Sequence, residues 1–351
     1  MIDVIDTLEK MEALKGEWER LEQNPEMRIF QTYAWCCHAW EQMVSKEPGA
    51  KLWILRWSQA GRNDTVIFPL YIDGQKTLRF IMDRHSDVCN AVYGERGDRH
   101  WCYKEVADVI LNEPMIQTIQ FQKLNGDSEL LNQLGVFLPA TIVYKDNAYS
   151  WVKSGQCDDF IVGQRQMRSK DKADLKAIRR KAERYTLQVL SATKGDAFPM
   201  DEVQALKTAM LQEGCSRLED FCTQEMIAFI QQVYLAGGTD IVILREGNEV
   251  KALNFVLKKQ NTYLSWVFLH TDARTSTSMY VKLLTAWAKE HALVFDFGVG
   301  VYSYKIGTFR PEMALTYSLL CGKTPWRHLK CALAMNLRFA KDYLKLKLKR
   351  H

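Results

Sequence analysis

Hydrophobic and polar positions follow a repeated order along the chain. In the first half, amphipathic stretches near 7–22 and 34–45 predict two helices, and another near 101–112 predicts a third. Four runs rich in β-branched and aromatic residues predict strands: KLWILRW, TVIFPLYI, KTLRFIM and MIQTIQF. The first half therefore reads helix, helix, strand, strand, strand, helix, strand.

The second half shows the same order. Helices are predicted near 201–214, 223–236 and 278–291. The strand runs are TDIVILRE, EVKALNFVLK, TYLSWVFLH and LVFDF. Three antiparallel strands followed by a crossover helix bring the next strand back parallel, so each half predicts a mixed, mostly antiparallel sheet flanked by helices. The fold class is α/β (α+β) in two similar halves, which either a duplication or two ordinary α/β domains would produce.

The pattern divides the chain into four parts. An amphipathic basic stretch separates the two halves, and a second one follows the last strand. The predicted parts are an N-terminal domain 1–152, a connector 153–190, a C-terminal domain 191–325 and a terminal helix 326–351.

Composition narrows the class of protein without naming a function. Of 351 residues, 47 % are hydrophobic and 25 % charged, which is ordinary for a globular protein. None of the nine cysteines lies in a CxxC pair, so neither a zinc site nor a disulfide framework is predicted, and no metal is expected. The sequence has no run of about 18 apolar residues and no secretory signal. We therefore expect reduced thiols and a cytoplasmic location.

Candidate chemistry concentrates in FDFGVGVYSYKIGTF, which follows the last predicted strand of the second half. Asp296 lies at the carboxyl end of that strand, where ligands gather in open α/β sheets, and it is either a general base or a carboxylate that accepts loop N–H bonds. Gly298 and Gly300 allow a sharp turn. Tyr304 is a candidate proton donor, and Lys305 is either a stabiliser of an oxyanion or an ordinary surface lysine.

A second candidate feature is the start of the helix near 278. Ser276, Thr277 and Ser278 precede its apolar positions and are followed by Met279. Such residues cap a helix, and the same free N–H groups can hold a phosphate. The spacing leaves capping and anion binding both open.

With these motifs in view, the chain resembles the CelD-type GNAT acetyltransferases of cellulose biosynthesis, relatives of the FemAB peptidyltransferases. The stretches that carry the resemblance are FQTYAWCCHAW, RSKDKADLKAIRRKAER, NFVLKKQNTYLSWVFLHTDARTSTSMYVKLL and FDFGVGVYSYKIGTF. The resemblance implies tandem GNAT-like domains and N-acyl transfer, with Lys305, Asp296 and Tyr304 in catalysis. It also implies an acyl-CoA donor, with acetyl-CoA expected, held near Asn254 and the 276–279 helix start.

Two departures weaken the expectation of coenzyme A. The single-domain GNAT pyrophosphate loop, Arg/Gln-x-x-Gly-x-Gly/Ala, is absent from the sequence. Ser276-Thr277-Ser278-Met279 stands where relatives often have Ser-Pro-Gly.

The acceptor side is predicted from polar and basic segments. The polar loop 82–101 carries His85, Asp87 and Arg96, which either bind substrate or lie in solvent. Arg179 lies on the basic connector helix, which is either a solvated face or a contact for a phosphorylated substrate.

The terminal helix has a stripe at 329, 333, 337, 340, 344 and 348. The stripe leaves three alternatives open: the helix docks on its own domain, lies on an anionic inner membrane or packs against a partner helix.

The sequence and the resemblance leave three candidate functions. The first is transfer of an acyl group from acyl-CoA to an amino group of a sugar, lipid or envelope precursor. The second is a FemAB-like, aminoacyl-tRNA-dependent transfer, although the sequence shows no long helical hairpin for tRNA. The third is a non-catalytic tandem domain that binds sugar or lipid.

Overall fold

The computed structural model describes most of the chain. The described residues are 1–59, 64–94, 99–153, 169–213, 223–272, 275–288, 294–300, 302, 305–309 and 311–348. Two compact units divide it: Met1–Asp146 with Leu315–His351 form the first, and Asn147–Ala314 form the second.

These unit bounds differ from the predicted domain bounds at both ends of the second half. Residues 315–325 belong to the first unit because Glu312–Gly322 pairs antiparallel with Thr118–Asn125, placing Leu319 opposite Phe121. The predicted connector 153–190 contributes a helix and an edge strand to the second unit.

The first unit is built from nine strands and five α-helices before the chain enters the second unit, counting the described residues only. The strands are β1 Ile2–Ile5, β2 Lys51–Leu52, β3 Ile54–Ser58, β4 Thr65–Phe68, β5 Leu70–Ile72, β6 Thr77–Phe80, β7 Val92–Tyr93, β8 Thr118–Asn125 and β9 Ile142–Lys153, whose last residues enter the second unit. The helices are α1 Leu8–Ala13, α2 Lys15–Leu21, α3 Tyr33–Gln42, α4 His100–Asn112 and α5 Gly135–Phe137. Shorter turns are the 3₁₀-helices Ile29–Gln31 and Val44–Lys46 and the π-helix Leu130–Leu134.

Strand pairing in the first unit forms two groups. One is a four-stranded antiparallel sheet in the order β1-β3-β4-β7. The other contains β8-β6-β5-β2, in which β6 and β8 are parallel and the remaining neighbours antiparallel. The parallel pair confirms the predicted crossover, since α4 lies between these strands in the chain.

The second unit repeats the crossover on a larger sheet. Its helices are α6 Ser169–Ala182, α7 Met200–Gln212, α8 Gln224–Leu235 and α9 Thr275–Ala288, with a 3₁₀-helix at Ala192–Lys194 and a π-helix at Lys305–Phe309. Its strands are β10 Thr186–Ser191, β11 Thr239–Glu246, β12 Glu249–Lys259, β13 Thr262–His270 and β14 Val294–Val299. The order is β10-β11-β12-β13-β14-β9, and among the described strands β13 and β14 form the one parallel pair.

One face of the second unit's sheet is covered by α6 and α9. Alternate residues of β11 and β12, including Val242 and Ala252, join Leu284 of α9 and Ala182 of α6 in one buried cluster. Successive side chains of a strand point to opposite faces of the sheet. Both faces of β11 and β12 are largely buried. The predicted amphipathic connector therefore contains a helix whose apolar side packs into the core of the second unit.

The chain ends in the first unit with β15, Glu312–Gly322, and α10, Pro325–Leu348. At the end of β15, glycine is required at position 322, since an added Cβ on Gly322 would lie 2.3 Å from the backbone nitrogen of His328. Met335 on α10 packs against Tyr144 and Leu320, so the helix docks on strands of its own unit. No helix in the described part of the chain is both long and apolar enough to cross a membrane.

Candidate functional site

The second unit contains a fork between two parallel strands. β13 and β14 pair only from Thr262 opposite Val294 to Leu264 opposite Asp296. Beyond that pair, β13 continues to His270 and β14 to Val299, and the described residues form no further ladder between them. The facing edges of two such strands can take hydrogen bonds from an extended ligand. The fork is therefore the candidate binding site of this unit.

An aromatic side chain fills the base of the fork. The ring of Tyr280, on α9, lies 6.0 Å from the ring of Phe268 on β13 and 5.4 Å from the ring of Phe297 on β14. Phe295 and Phe309 complete its surroundings, at 5.9 and 6.1 Å. These centroid distances are typical of packed aromatic pairs. Tyr280 thus acts as a wedge that supports both strands where they separate.

A buried polar chain runs beside this wedge. Ser265 is the first β13 residue beyond the paired segment, and its hydroxyl lies 2.8 Å from the hydroxyl of Tyr280. The side-chain amide of Asn254, on β12, donates to the same Ser265 oxygen at 2.7 Å. Asn254 is fully buried, and within the described residues its Oδ1 has no hydrogen-bond partner. Asn254, predicted from the resemblance to contact the donor, therefore lies inside the core next to the fork.

Asp296 is the last residue of β14 that pairs with β13, and it is buried. Its Oδ1 accepts the backbone N–H of Gly298 at 2.8 Å, the local bond by which an aspartate stabilises a turn. Gly298 has φ +72°, a conformation that side-chain-bearing residues rarely adopt. One oxygen of the carboxylate thus accepts a loop N–H bond, as the structural alternative predicts, and the general-base role stays a prediction.

Lys305 is buried and points its ammonium at the end of β14. Its Nζ donates to the carbonyl oxygen of Phe297 at 2.5 Å and lies 3.4 Å from those of Gly298 and Val299. It also lies 5.1 Å from the centre of the Tyr302 ring. The three carbonyls form what we call the carbonyl cage, which fixes the charge of Lys305 at the mouth of the fork.

The loop that carries this cage depends on a second glycine. Gly300 has φ +110°, and an added Cβ there would lie 2.5 Å from the Tyr302 ring. Its N–H donates to the carbonyl of Ala148 on β9 at 2.9 Å. The glycines identified in the sequence therefore serve the turn and a close approach of an aromatic ring. Tyr304, the predicted proton donor, lies outside the described residues.

The start of α9 is more enclosed than its sequence predicts. The helix begins at Thr275, whose hydroxyl donates to the carbonyl of Asp272 at 2.6 Å. Ser276, Ser278 and Met279 are buried, and Thr277 is half-buried. A phosphate at this helix start would meet backbone N–H groups and Thr277 rather than a row of open hydroxyls.

The predicted acceptor residues lie in separate parts of the chain. His85 and Asp87 are in the first unit and are half-buried, whereas Arg179 is exposed on α6 of the second unit. Arg96 falls outside the described residues. Asp296, Lys305 and Asn254, by contrast, all lie in the second unit.

The loop around His85 is held by a lysine that the sequence did not single out. Lys123, on β8, donates its ammonium to three backbone carbonyls, those of Asp83, Arg84 and Ser86, at 3.0, 3.0 and 2.6 Å. Asp83 is buried and pairs with Arg79 at 3.0 Å. This part of the predicted polar loop is therefore packed into the first unit rather than wholly solvated.

The second unit also contains a cavity on its surface. A cavity of about 380 Å³ opens beside α7. Its lining residues are Asp201, Glu202, Ala205, Leu206, Glu249, Val250 and Thr271. The described residues contain no group of three or more His, Cys, Asp or Glu that could hold a metal ion.

Comparison with known proteins places the fold. No family model matches the chain, and no curated protein matches it. Among solved structures, the C-terminal domain of a protein assigned as a lysylphosphatidylglycerol synthetase from Agrobacterium fabrum has a TM-score of 0.57 at 11 % identity, covering 94 % of this chain and 95 % of that one. FemX has a TM-score of 0.54 at 9 % identity, covering 91 % and 96 %. A tandem GNAT protein from the clavulanic acid biosynthesis pathway has a TM-score of 0.52 at 10 % identity, covering 93 % and 99 %.

These likenesses confirm the predicted fold class. The chain has a mixed α+β fold like that of tandem GNAT proteins, over more than nine tenths of its length. They do not show the CelD-type family, because identities of 9–11 % establish the fold alone.

Proposed function

We propose that this protein is an acyltransferase that moves an acyl group from an activated carbonyl donor to an amine. The observation that carries the proposal is the fork: β13 and β14 part after Leu264 and Asp296, and a fixed positive charge lies at its mouth. An extended donor can pair with the free strand edges, and the charge of Lys305 favours negative charge that develops on a carbonyl oxygen nearby. Solved structures with the same fold include proteins described as FemX and as a tandem GNAT protein.

Acyl-CoA is the donor that we favour. An extended pantetheine chain suits the open edges of the fork, since it can pair with the free edges of β13 and β14. Its phosphates would lie at the first turn of α9, where Thr277 reaches solvent. Asp272 lies just before that turn, and its carboxylate would oppose a phosphate. Acyl-CoA therefore fits the site well along the strands and less well at the start of α9.

The roles of the chain's own residues follow from their contacts. Lys305 is mainly a positioning residue, because its ammonium donates to the carbonyl of Phe297 at 2.5 Å and so holds the strand end. Asp296 is the candidate base for the acceptor amine, and Tyr304 stays the candidate acid for the departing thiolate. The amine would attack the acyl carbonyl, the carbon–sulfur bond would break, and the proton lost by nitrogen would leave through the base.

The acceptor is an amine on a sugar, lipid or other envelope precursor in our proposal. Its pathway, exopolysaccharide synthesis, rests on the resemblance to the CelD-type enzymes. His85, Asp87, Arg96 and Arg179 remain the predicted acceptor-side residues. We place the reaction in the cytoplasm, since the six cysteines within the described residues are all free thiols.

An aminoacyl-tRNA donor is the second candidate, and a basic helix favours it. The last turn of α6 carries Arg179, Arg180 and Lys181, and both arginines are exposed. Such a row suits a phosphate backbone. The third candidate, a non-catalytic tandem domain, predicts that neither donor binds.

Thermal shift separates the three candidates. Acetyl-CoA at 100 times its Kd should stabilise the protein by about 2.7 kcal/mol, which is a Tm rise of about 4 °C for a chain of 351 residues. Mass spectrometry of an amine acceptor, such as a hexosamine, should then show one added acyl group. Stabilisation by aminoacyl-tRNA alone, together with activity lost to ribonuclease, would replace our donor with the second candidate. A Tm unmoved by any donor would overturn the transferase.

A further inference from the structure

The terminal helix α10 has apolar side chains on two opposite faces. On one face Met335 is 7 % exposed and packs with Cys331 against Tyr144 and Leu320. On the other face four large apolar side chains stand in solvent. These residues, which we call the outer stripe, are Trp326 at 65 %, Leu329 at 47 %, Leu333 at 54 % and Leu337 at 71 % exposure.

Helical geometry shows that the outer stripe is continuous. At about 100° of rotation per residue, its four members lie within an arc of about 80°, and Met335 lies about 180° from Trp326. The docking of α10 on its own unit therefore uses the face opposite the stripe. A contiguous row of exposed apolar side chains marks an interaction surface rather than an ordinary solvated helix face.

The charge of this segment of the sequence indicates what covers the outer stripe. From Arg327 to His351, eight lysines and arginines stand against the single acid Asp342, a net charge of +7. Lys330 places its ammonium 5.7 Å from the centre of the Trp326 ring, at one end of the stripe. Basic residues beside an apolar stripe with a tryptophan are typical of helices that lie in the interface of an anionic bilayer.

A second copy of the chain fits the same surface poorly. Two outer stripes brought together would also bring two segments of net charge +7 together, with one aspartate each to offset them. An anionic lipid surface offers negative charge and an apolar layer at once.

We infer that the outer stripe of α10 lies on an anionic lipid surface and holds this protein at the membrane. The helix lies flat, with Trp326 and the three leucines in the bilayer interface and the Met335 face kept on the first unit. This inference stands independently of the transferase proposal, since it uses no residue of the fork.

Vesicle co-sedimentation of the full chain tests the inference. We expect binding to vesicles of phosphatidylcholine with 30–50 % phosphatidylglycerol, weak binding to phosphatidylcholine alone, and a loss of binding as salt rises. Leu333→Glu with Leu337→Glu should lower the partition coefficient at least tenfold. The matched control is Leu235→Glu, because Leu235 is 59 % exposed at the end of α8 in the second unit.

A second measurement covers the case in which the double variant is poorly folded. Brominated lipids in the anionic vesicles should quench the fluorescence of the wild-type chain more than that of Trp326→Phe. Equal binding to neutral vesicles, unchanged binding of the double variant, or quenching that Trp326→Phe leaves unaltered would overturn the inference. Dimerisation without vesicles that Leu333→Glu abolishes would assign the stripe to a second copy instead.

Discussion

Replacing Lys305 tests the carbonyl cage most directly. Lys305→Met keeps the aliphatic chain but removes the ammonium, which leaves the Phe297 carbonyl without its 2.5 Å donor and weakens two longer contacts at 3.4 Å. A lost hydrogen bond to a charged group costs about 1.5–3 kcal/mol, and the two long contacts add less than a full bond each. We expect the free energy of unfolding to fall by about 2–4 kcal/mol in total.

The measurement is denaturant unfolding of Lys305→Met beside Lys194→Met, an exposed lysine of the same unit. The control should change stability by less than about 0.5 kcal/mol, and the slope m should stay constant in both variants. Methylammonium should restore part of the loss in Lys305→Ala, because it can enter the space that the side chain leaves. Equal stabilities of Lys305→Met and the control would refute the reasoning.

Three further predictions concern the fork. Tyr280→Phe keeps the wedge but loses the bond to Ser265, so it should cost about 1 kcal/mol in denaturant unfolding; no change would make that bond dispensable. Gly300→Ala should lower Tm, because the new Cβ meets the Tyr302 ring and residue 300 has φ +110°. Adding Tyr302→Ala to that variant removes the ring but not the backbone strain, so it should restore only part of the loss; full restoration would exclude backbone strain. Burial lowers the pKa of His270 below 6.5, so the unfolded state takes up a proton first and stability should fall as the pH drops below about 6.5. His270→Gln should flatten that dependence, and an identical pH profile in the variant would contradict it.

Both units secure a loop by the same device. In each, a lysine ammonium is directed at three backbone carbonyls: Lys123 in the first unit and Lys305 in the second. A lysine has three donors, so it can satisfy several carbonyls that no strand or helix would pair. The predicted stabiliser of an oxyanion is thus first of all a support for the loop that shapes the fork.

The hydrophobic pattern by itself determined the regular elements with long uninterrupted signals. β11 and β13 have the predicted bounds. The apolar run of β11 is typical of a strand buried on both faces, and the aromatic and β-branched residues of β13 are typical of a half-buried strand. The crossover order also determined the parallel pair β13–β14. By contrast, β9 and β15 were not predicted. In β9 the polar run Lys145, Asp146 and Asn147 interrupts the pattern.

The candidate site divides in the same way. Local sequence was enough to select Asp296, the two glycines and Lys305, because their chemistry follows a strand end directly. Only the tertiary structure decided that Lys305 faces a carbonyl cage and that Tyr280 wedges the fork, because those contacts join residues from different elements. It also decided which apolar face of α10 is covered, since periodicity places a stripe on a helix but not the neighbour that buries it.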